Sequence, residues 1–205
     1  MIHTDPTFIA IDNFYDNPTQ VRDFALHCEY QDPRKSEGYS NGNAPWPGKM
    51  SKKSYQPKDL DIRISKLLKR NVVQRYGLGS GKFRISKENE VSESVVHADD
   101  VFHDPCAYAG VLYLNPNVTN VEGTILYKHV PSGERILKDK TEMNRIILNG
   151  EHKDLKFWQK ELVSYITFNR LIIYPAHVFH GTGPLFGTTD EDARLVQLFF
   201  WESLN

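Results

Sequence analysis

The sequence predicts a mostly β domain, an antiparallel barrel or sandwich with helices packed on one face. Three observations predict it. From residue 82 onward, "KFRIS", "SVVHA", "AGVLYLN", "GTILYKHV", "RLIIYPAHVF" and "ARLVQLFFW" are short, rich in β-branched and aromatic residues, and bounded by Gly, Pro, Asn or Asp. Before residue 82, two stretches instead carry apolar residues at helical spacing. The composition, 40% hydrophobic and 12% aromatic over 205 residues, is that of one globular domain, residues 1–205, able to bury roughly 70% of its unfolded surface. Helices followed by a run of strands suit a sheet structure with the helices laid against it.

The elements follow in order. "FIAIDNFYDNPTQVRDFALHCEY" reads as a short strand and then a helix. Asn17 can cap that helix, Pro18 suits its first turn, and Val21, Phe24, Ala25 and Cys28 share a face. "RKSEGYSNGNAPWPGKMSKKSY" has the turn chemistry of a long loop, and loops of that length are often functional. Within it Trp46 either packs the loop down or lines a binding site. "KDLDIRISKLLKRNVVQRYG" reads as a second helix, with Leu60, Ile64, Leu67, Leu68 and Val72 on one face. The "GLGSG" that follows has the glycines of a nucleotide loop, but it comes after a helix rather than a strand, so a helix stop and turn is the better reading. The helical part thus covers about residues 1–80 and the strand core about 82–202. An insertion at about 131–165, charged and partly helical around Met143, Ile146 and Ile147, interrupts the core. No repeat or low-complexity segment is present.

Composition excludes several functions. With 25 basic against 26 acidic residues, the chain lacks the basic surplus expected of a protein that binds nucleic acid or anionic lipid. Cys28 and Cys106 are too few for a disulfide framework or a cysteine-based zinc site. The N-terminus shows no signal-peptide pattern. The most apolar run, "LVSYITFNRLIIYPAHVF", is cut by Asn169, Arg170 and Pro175 and is too short and polar to span a bilayer. The expected setting is a reducing cytoplasm, where the glycosylation-like Asn117-Val118-Thr119 has no role.

The chemistry concentrates in "VVHADD". Side chains alternate along a strand, so His97 and Asp99 share a face. An imidazole and a carboxylate so placed can take two adjacent corners of one ion. Alone, this pattern is weak. "LIIYPAHVFHGTGP" adds His177 and His180 at the close of an apolar strand, beside glycines, a usual place for a ligand. On "ARLVQLFFW", Arg194 shares a face with Val196, Leu198 and Phe200 and so needs an anionic partner. Asp190, Glu191 and Asp192 are the local candidates. Two histidines and one carboxylate leave three octahedral corners open, as in non-haem Fe(II) oxygenases, and an arginine fork suits a carboxylate-bearing cosubstrate.

These stretches, with "YAGVLYLN" and "EGTILYKH", resemble the Fe(II)/2-oxoglutarate-dependent oxygenase superfamily over about residues 82–202, nearest its prolyl-hydroxylase-like branch. "FIAIDNFYDNPTQVRDFA" is similar to that branch's opening strand and helix. The resemblance implies a double-stranded β-helix, a jelly-roll or cupin-like barrel, with the N-terminal helices packed on one sheet. It implies Fe(II) held by His97, Asp99 and His180, with His180 preferred to His177 because it directly precedes the glycine turn. It further implies 2-oxoglutarate as cosubstrate bound by Arg194 and Tyr113, and O2 as oxidant. The implied reaction hydroxylates a peptide or small molecule, with succinate and CO2 as coproducts. The presence of Asp99 implies hydroxylation rather than halogenation. The turn between His180 and Arg194 is longer than is common in the family.

Two other readings stay open at this point. One is a cupin-like dioxygenase or isomerase without 2-oxoglutarate, with His129 joining His97 and His180. The other is a non-catalytic binding barrel, in which the polar cluster is incidental; for Tyr113 itself the alternative is a half-buried barrel tyrosine. The loop at 35–55, with Trp46 as a substrate contact, and the 131–165 insertion are the expected substrate-facing segments. Neither substrate identity nor oligomeric state is legible.

Overall fold

In the computed structural model the described residues are 8–32, 47–90, 95–99 and 107–204, and antiparallel strands dominate them. Strand β1 (Ile9–Ile11) leads into helix α1 (Pro18–Leu26), and β2 (Tyr30–Gln31) and β3 (Lys49–Ser54) precede α2 (Leu60–Leu68). Then come β4 (Val72–Gln74), β5 (Lys82–Ser86), β6 (Tyr108–Tyr113) and β7 (Glu122–His129). Helix α3 (Lys140–Leu148) is followed by β8 (Trp158–Tyr165), β9 (Leu171–Pro175), β10 (His180–Thr182) and β11 (Arg194–Ser203). The larger sheet has the order β1-β9-β6-β11-β5-β3-β2, with β4 pairing the end of β11; the smaller is β10-β7-β8. No helix among the described residues is long and apolar enough to cross a membrane.

Strand alternation sorts the core into layers. From β11, Leu195, Phe199 and Trp201 join Leu112, Leu171 and Ile173 on one face of the large sheet. The same cluster takes in Val21 and Ala25 of α1 and Leu60 and Ile64 of α2. The opposite face presents Val196, Leu198, Val111, Tyr113 and Ile172, which meet Leu126 of β7 between the sheets. The far face of the small sheet carries Ile125, Tyr127 and Trp158, covered by Leu137, Ile146 of α3 and Phe179. Asn17 caps α1 as expected, its side chain accepting from the Gln20 N–H at 3.3 Å.

Several elements differ from expectation. The second helix ends at Leu68; Lys69 takes a left-handed conformation (φ 52°). Val72 lies instead in β4, paired with Ser203 of β11, so tertiary pairing overrides helical spacing. Of the glycines of "GLGSG", Gly77 lies in a short 3₁₀ segment (Tyr76–Leu78) after β4, and Gly79 ends that segment in a left-handed conformation (φ 87°) before the turn to β5, so the helix they stop is this segment and not α2. "KMSKKS", expected to be loop, is strand β3, and only its Ser51 is buried. The 131–165 insertion contains α3 but also β8, whose Gln159, Lys160 and Glu161 are exposed. "RLIIYPAHVF" is not one strand: β9 stops at Pro175, Val178 N–H closes a turn onto the Pro175 carbonyl at 3.1 Å, and β10 starts at His180.

Leu112 is wholly buried among Leu114, Leu171 and Leu195. Leu112→Ala should lower unfolding stability by about 2–5 kcal/mol, read from urea denaturation.

Candidate metal centre

One backbone pairing builds the centre. The His97 N–H donates to the His180 carbonyl at 2.9 Å, and the His180 N–H donates back to the His97 carbonyl at 2.7 Å. They form an isolated antiparallel bridge at the outer edge of β10. Residues directly opposite in an antiparallel pair present side chains to the same face, and the two imidazole centroids are 4.3 Å apart. Alternation then places Asp99. Val96 and Ala98 are buried in the cluster behind the small sheet, so His97 and Asp99 point the other way. The Asp99 N–H is fixed on the Ala176 carbonyl at 2.9 Å. Donor atoms of His97, Asp99 and His180 all lie within 4.8 Å of one another. Beyond His97, therefore, "SVVHA" makes no continuous ladder among the described residues, yet its alternation holds.

Gly181 permits this approach. A Cβ there would stand 2.3 Å from the Val95 carbonyl oxygen, a backbone atom with little freedom to yield.

Hydrogen bonding sets the chemistry of each donor. Nδ1 of His180 lies 2.9 Å from the Val178 carbonyl oxygen. A carbonyl only accepts, so Nδ1 is the donor and Nε2 is the nitrogen left to ligate. That Nε2 is 3.8 Å from Oδ2 of Asp99, beyond hydrogen-bond distance. Among the described residues, Nδ1 of His97 and Oδ2 of Asp99 are buried without a hydrogen-bond partner. Buried polar atoms are normally satisfied, and unpartnered atoms on two of three converging side chains fit a metal ion. Burial, the neighbouring His180 and the Arg84 charge push His97 well below the usual imidazole range, into the neutral form that ligates metal. Burial raises the Asp99 carboxyl against the opposing pull of His180 and Arg84, a cost that a bound cation would offset. The Asp99 side chain keeps 20% of its surface exposed, so the centre is deep but reachable.

A second polar group lies between the sheets. Arg194 is buried, its Nη2 donating to the Gly123 carbonyl at 3.3 Å. Its Nε has no partner among the described residues. The local acids do not reach it. Asp190 pairs with Lys49 and Lys87, and Asp192 accepts from Thr188 and Thr189 of its own turn. Burial pulls the guanidinium pKa down, with Tyr113 and Tyr174 opposing. Tyr113 is wholly rather than half buried, and its hydroxyl donates to Oγ1 of Thr124 at 2.9 Å. Burial raises that hydroxyl's pKa, while hydrogen bonds with Ser164 and Thr124 and the Arg194 charge pull it down. On β7, Thr124 stands opposite Thr182 and Leu126 opposite His180. Two residues of strand, roughly 7 Å, therefore separate the Arg194–Tyr113 group from the row of the triad.

His129 does not join the histidines. On β7 its side chain shares the outward face with Tyr127, its ring centroid 4.7 Å from that of Trp158 with the planes tilted by 50°. Its ring nitrogens lie 2.9 Å from Oε2 of Glu151 and 2.9 Å from Oγ of Ser132. The three-histidine cupin set is not formed. His177 stands outside the donor group as well. Trp46, Asp100, His103 and Asp104 lie outside the described residues. Sequence reading missed Arg84, whose charge bears on both His97 and Asp99. Its signal was available: it alternates with buried Phe83 and Ile85 and therefore faces the intersheet side, opposite Val196.

The architecture is one this chain shares with solved 2-oxoglutarate-binding proteins and prolyl hydroxylases. HygX from Streptomyces hygroscopicus, solved with nickel, 2-oxoglutarate and hygromycin B bound, superposes with a TM-score of 0.54 at 10% identity, covering 96% of this chain and 82% of that one. A Pseudomonas putida prolyl-4-hydroxylase superposes with a TM-score of 0.51 at 12% identity, covering 98% and 95%. A search of curated proteins finds no match. The chain belongs to DUF6445, a family of unknown function, whose model matches residues 2–184.

Gly181→Ala forces the Val95 carbonyl away and with it the bridge. Mn(II) affinity should fall about tenfold or more, measured by titration, while far-ultraviolet circular dichroism stays close to wild type.

Proposed function

We propose that this chain is an Fe(II)- and 2-oxoglutarate-dependent oxygenase that hydroxylates a peptide side chain or a small molecule. The observation that carries the reading is the convergence of His97, Asp99 and His180, with unpartnered buried atoms on His97 and Asp99. Two neutral imidazoles and one carboxylate are the donor set of non-haem Fe(II). When bound, iron with 2-oxoglutarate and O2 supplies C–H hydroxylation, releasing succinate and CO2.

The chain's own residues do the remaining work. His97, Asp99 and His180 hold the metal, and the Val178 carbonyl fixes the His180 tautomer. Arg194, beside no carboxylate among the described residues, anchors the far carboxylate of 2-oxoglutarate. A buried guanidinium needs an anion, and its planar fork of donors suits a carboxylate. The Tyr113 hydroxyl, whose one proton goes to Oγ1 of Thr124 in this structure, would turn that proton to the same carboxylate. The apolar faces of Val196, Leu198 and Ile172 keep water from that group. Trp46 is proposed as a substrate contact. HygX is solved with hygromycin B and the Pseudomonas protein is a prolyl-4-hydroxylase, which supports a small molecule or a peptide equally. Cys28 is a free thiol, in keeping with the cytoplasmic setting we propose.

The test is succinate formation with Fe(II), 2-oxoglutarate and O2 against pooled metabolites and peptides. His97→Ala and Asp99→Ala should abolish substrate-linked succinate; activity retained in His97→Ala would overturn the reading. Arg194→Ala should raise the 2-oxoglutarate concentration for half-maximal rate by roughly tenfold or more. An unchanged requirement would move the anchor elsewhere.

A further inference from the structure

The 131–165 segment does not stand apart from the triad; it braces both ligand-bearing stretches from behind. On one side, the His152 carbonyl accepts from the Val95 N–H at 3.0 Å and the Val96 N–H at 3.2 Å. On the other, the Phe179 N–H donates to the Arg135 carbonyl at 3.0 Å and the Leu137 N–H to the His177 carbonyl at 2.8 Å. Val96 and Phe179, each adjacent to a triad histidine, pack in one cluster with Leu137, Ile146 and Trp158.

What fixes His152 is its neighbour. Glu151 is 7% exposed. Its carboxylate accepts from Nδ2 of Asn149 at 3.0 Å and from Nη1 of Arg145 at 3.2 Å, and lies 2.9 Å from Nε2 of His129. Its carbonyl accepts from the Trp158 indole N–H at 2.8 Å. Burial alone would raise its pKa, but the bonds from Asn149 and His129 and the Arg145 charge hold it below the ordinary carboxylate range. An ionised carboxylate so deeply placed is costly to desolvate, and apolar residues of the same volume often stabilise a fold as well or better. Its distinct contribution is directional: several bonds fix one orientation of the short 3₁₀ turn at Glu151–Lys153.

We propose that His129 and Glu151 are positioning residues for the metal centre, holding His97 in place through the His152 carbonyl and the Val95 and Val96 amides. This rests on the metal reading of the triad. Glu151 touches none of the three ligands; it acts two backbone steps away.

The experiment compares full-length wild type, Glu151→Ala, Glu151→Gln and Leu60→Ala. Leu60 lies in the cluster under α2, on the far face of the large sheet, and its variant serves as a control for general destabilisation. Mn(II) affinity is read by electron paramagnetic resonance, and amide hydrogen exchange is followed at residues 95–97. Glu151→Ala should weaken Mn(II) about tenfold and speed exchange at Val95 and Val96. Glu151→Gln, which keeps an acceptor for Arg145 and Asn149, should recover to within about threefold of wild type. Leu60→Ala should lower the melting temperature and leave Mn(II) affinity unchanged. Unaltered affinity and exchange in Glu151→Ala, or an equal loss of affinity in Leu60→Ala, overturns the proposal. A wild-type chain that binds no Mn(II) overturns the metal reading instead; exchange at Val95 and Val96 then still decides whether Glu151 holds the segment.

Discussion

The site depends on one reciprocal pair of backbone hydrogen bonds, between His97 and His180. Neither histidine is placed by its own neighbours in sequence. Pairing turns both imidazoles to one face, and pleating carries Asp99 to the same side while Val96 and Ala98 go into the core behind. Two bonds and a glycine thus decide the positions of three donor groups. The same pairing explains the cost stored there. It brings the imidazole centroids to 4.3 Å, and burial there drives His97 toward neutrality and raises Asp99 against the pull of His180 and Arg84, a state that favours a cation over an empty cluster.

The rest of the fold reads as support for that edge. β11 divides its side chains between two roles. Leu195, Phe199 and Trp201 seat the large sheet on α1 and α2, while Arg194, Val196 and Leu198 face the space between the sheets. β7 is divided in the same way. Thr124 and Leu126 look inward, toward Tyr113 and His180, and Tyr127 and His129 look outward, toward Trp158. β11 and β7 thus each give polar side chains to the intersheet space and apolar ones to the cluster behind.

Sequence reading recovered what period alone encodes. The β-rich run after residue 82, the capped helix at Asn17, and the pairing of His97 with Asp99 all follow from alternation or spacing. It failed where a strand is exposed on one side. "KMSKKS" and "WQKELVSY" carry lysines, glutamate and glutamine that resemble loop or helix, because their pairing with β5 and β7 buries only a few residues. It also overextended the second helix, since nothing local announces that Val72 will be claimed by β11. For the site, composition could not say which histidine joins the pair. His129 and His180 both sit on apolar strands; only the face each occupies separates them, and that is set by register. The freedom of Arg194 from its neighbouring acids was equally hidden, because it depends on Lys49 and Lys87 taking Asp190 from other strands.

The place of β11 in the large sheet has a consequence for biosynthesis. It is the last of the described strands in the chain, yet it lies between β6 and β5, both made long before it. As the chain leaves the ribosome, β5 with β3 and β6 with β9 can pair, but the two halves have no common strand until residues 194–203 emerge. Non-local pairing of this kind is slow and leaves strand edges open. Until then the edges of β5 and β6 that β11 will pair keep their backbone N–H and C=O groups open, and β11 closes both in the same step that brings Arg194 between the sheets.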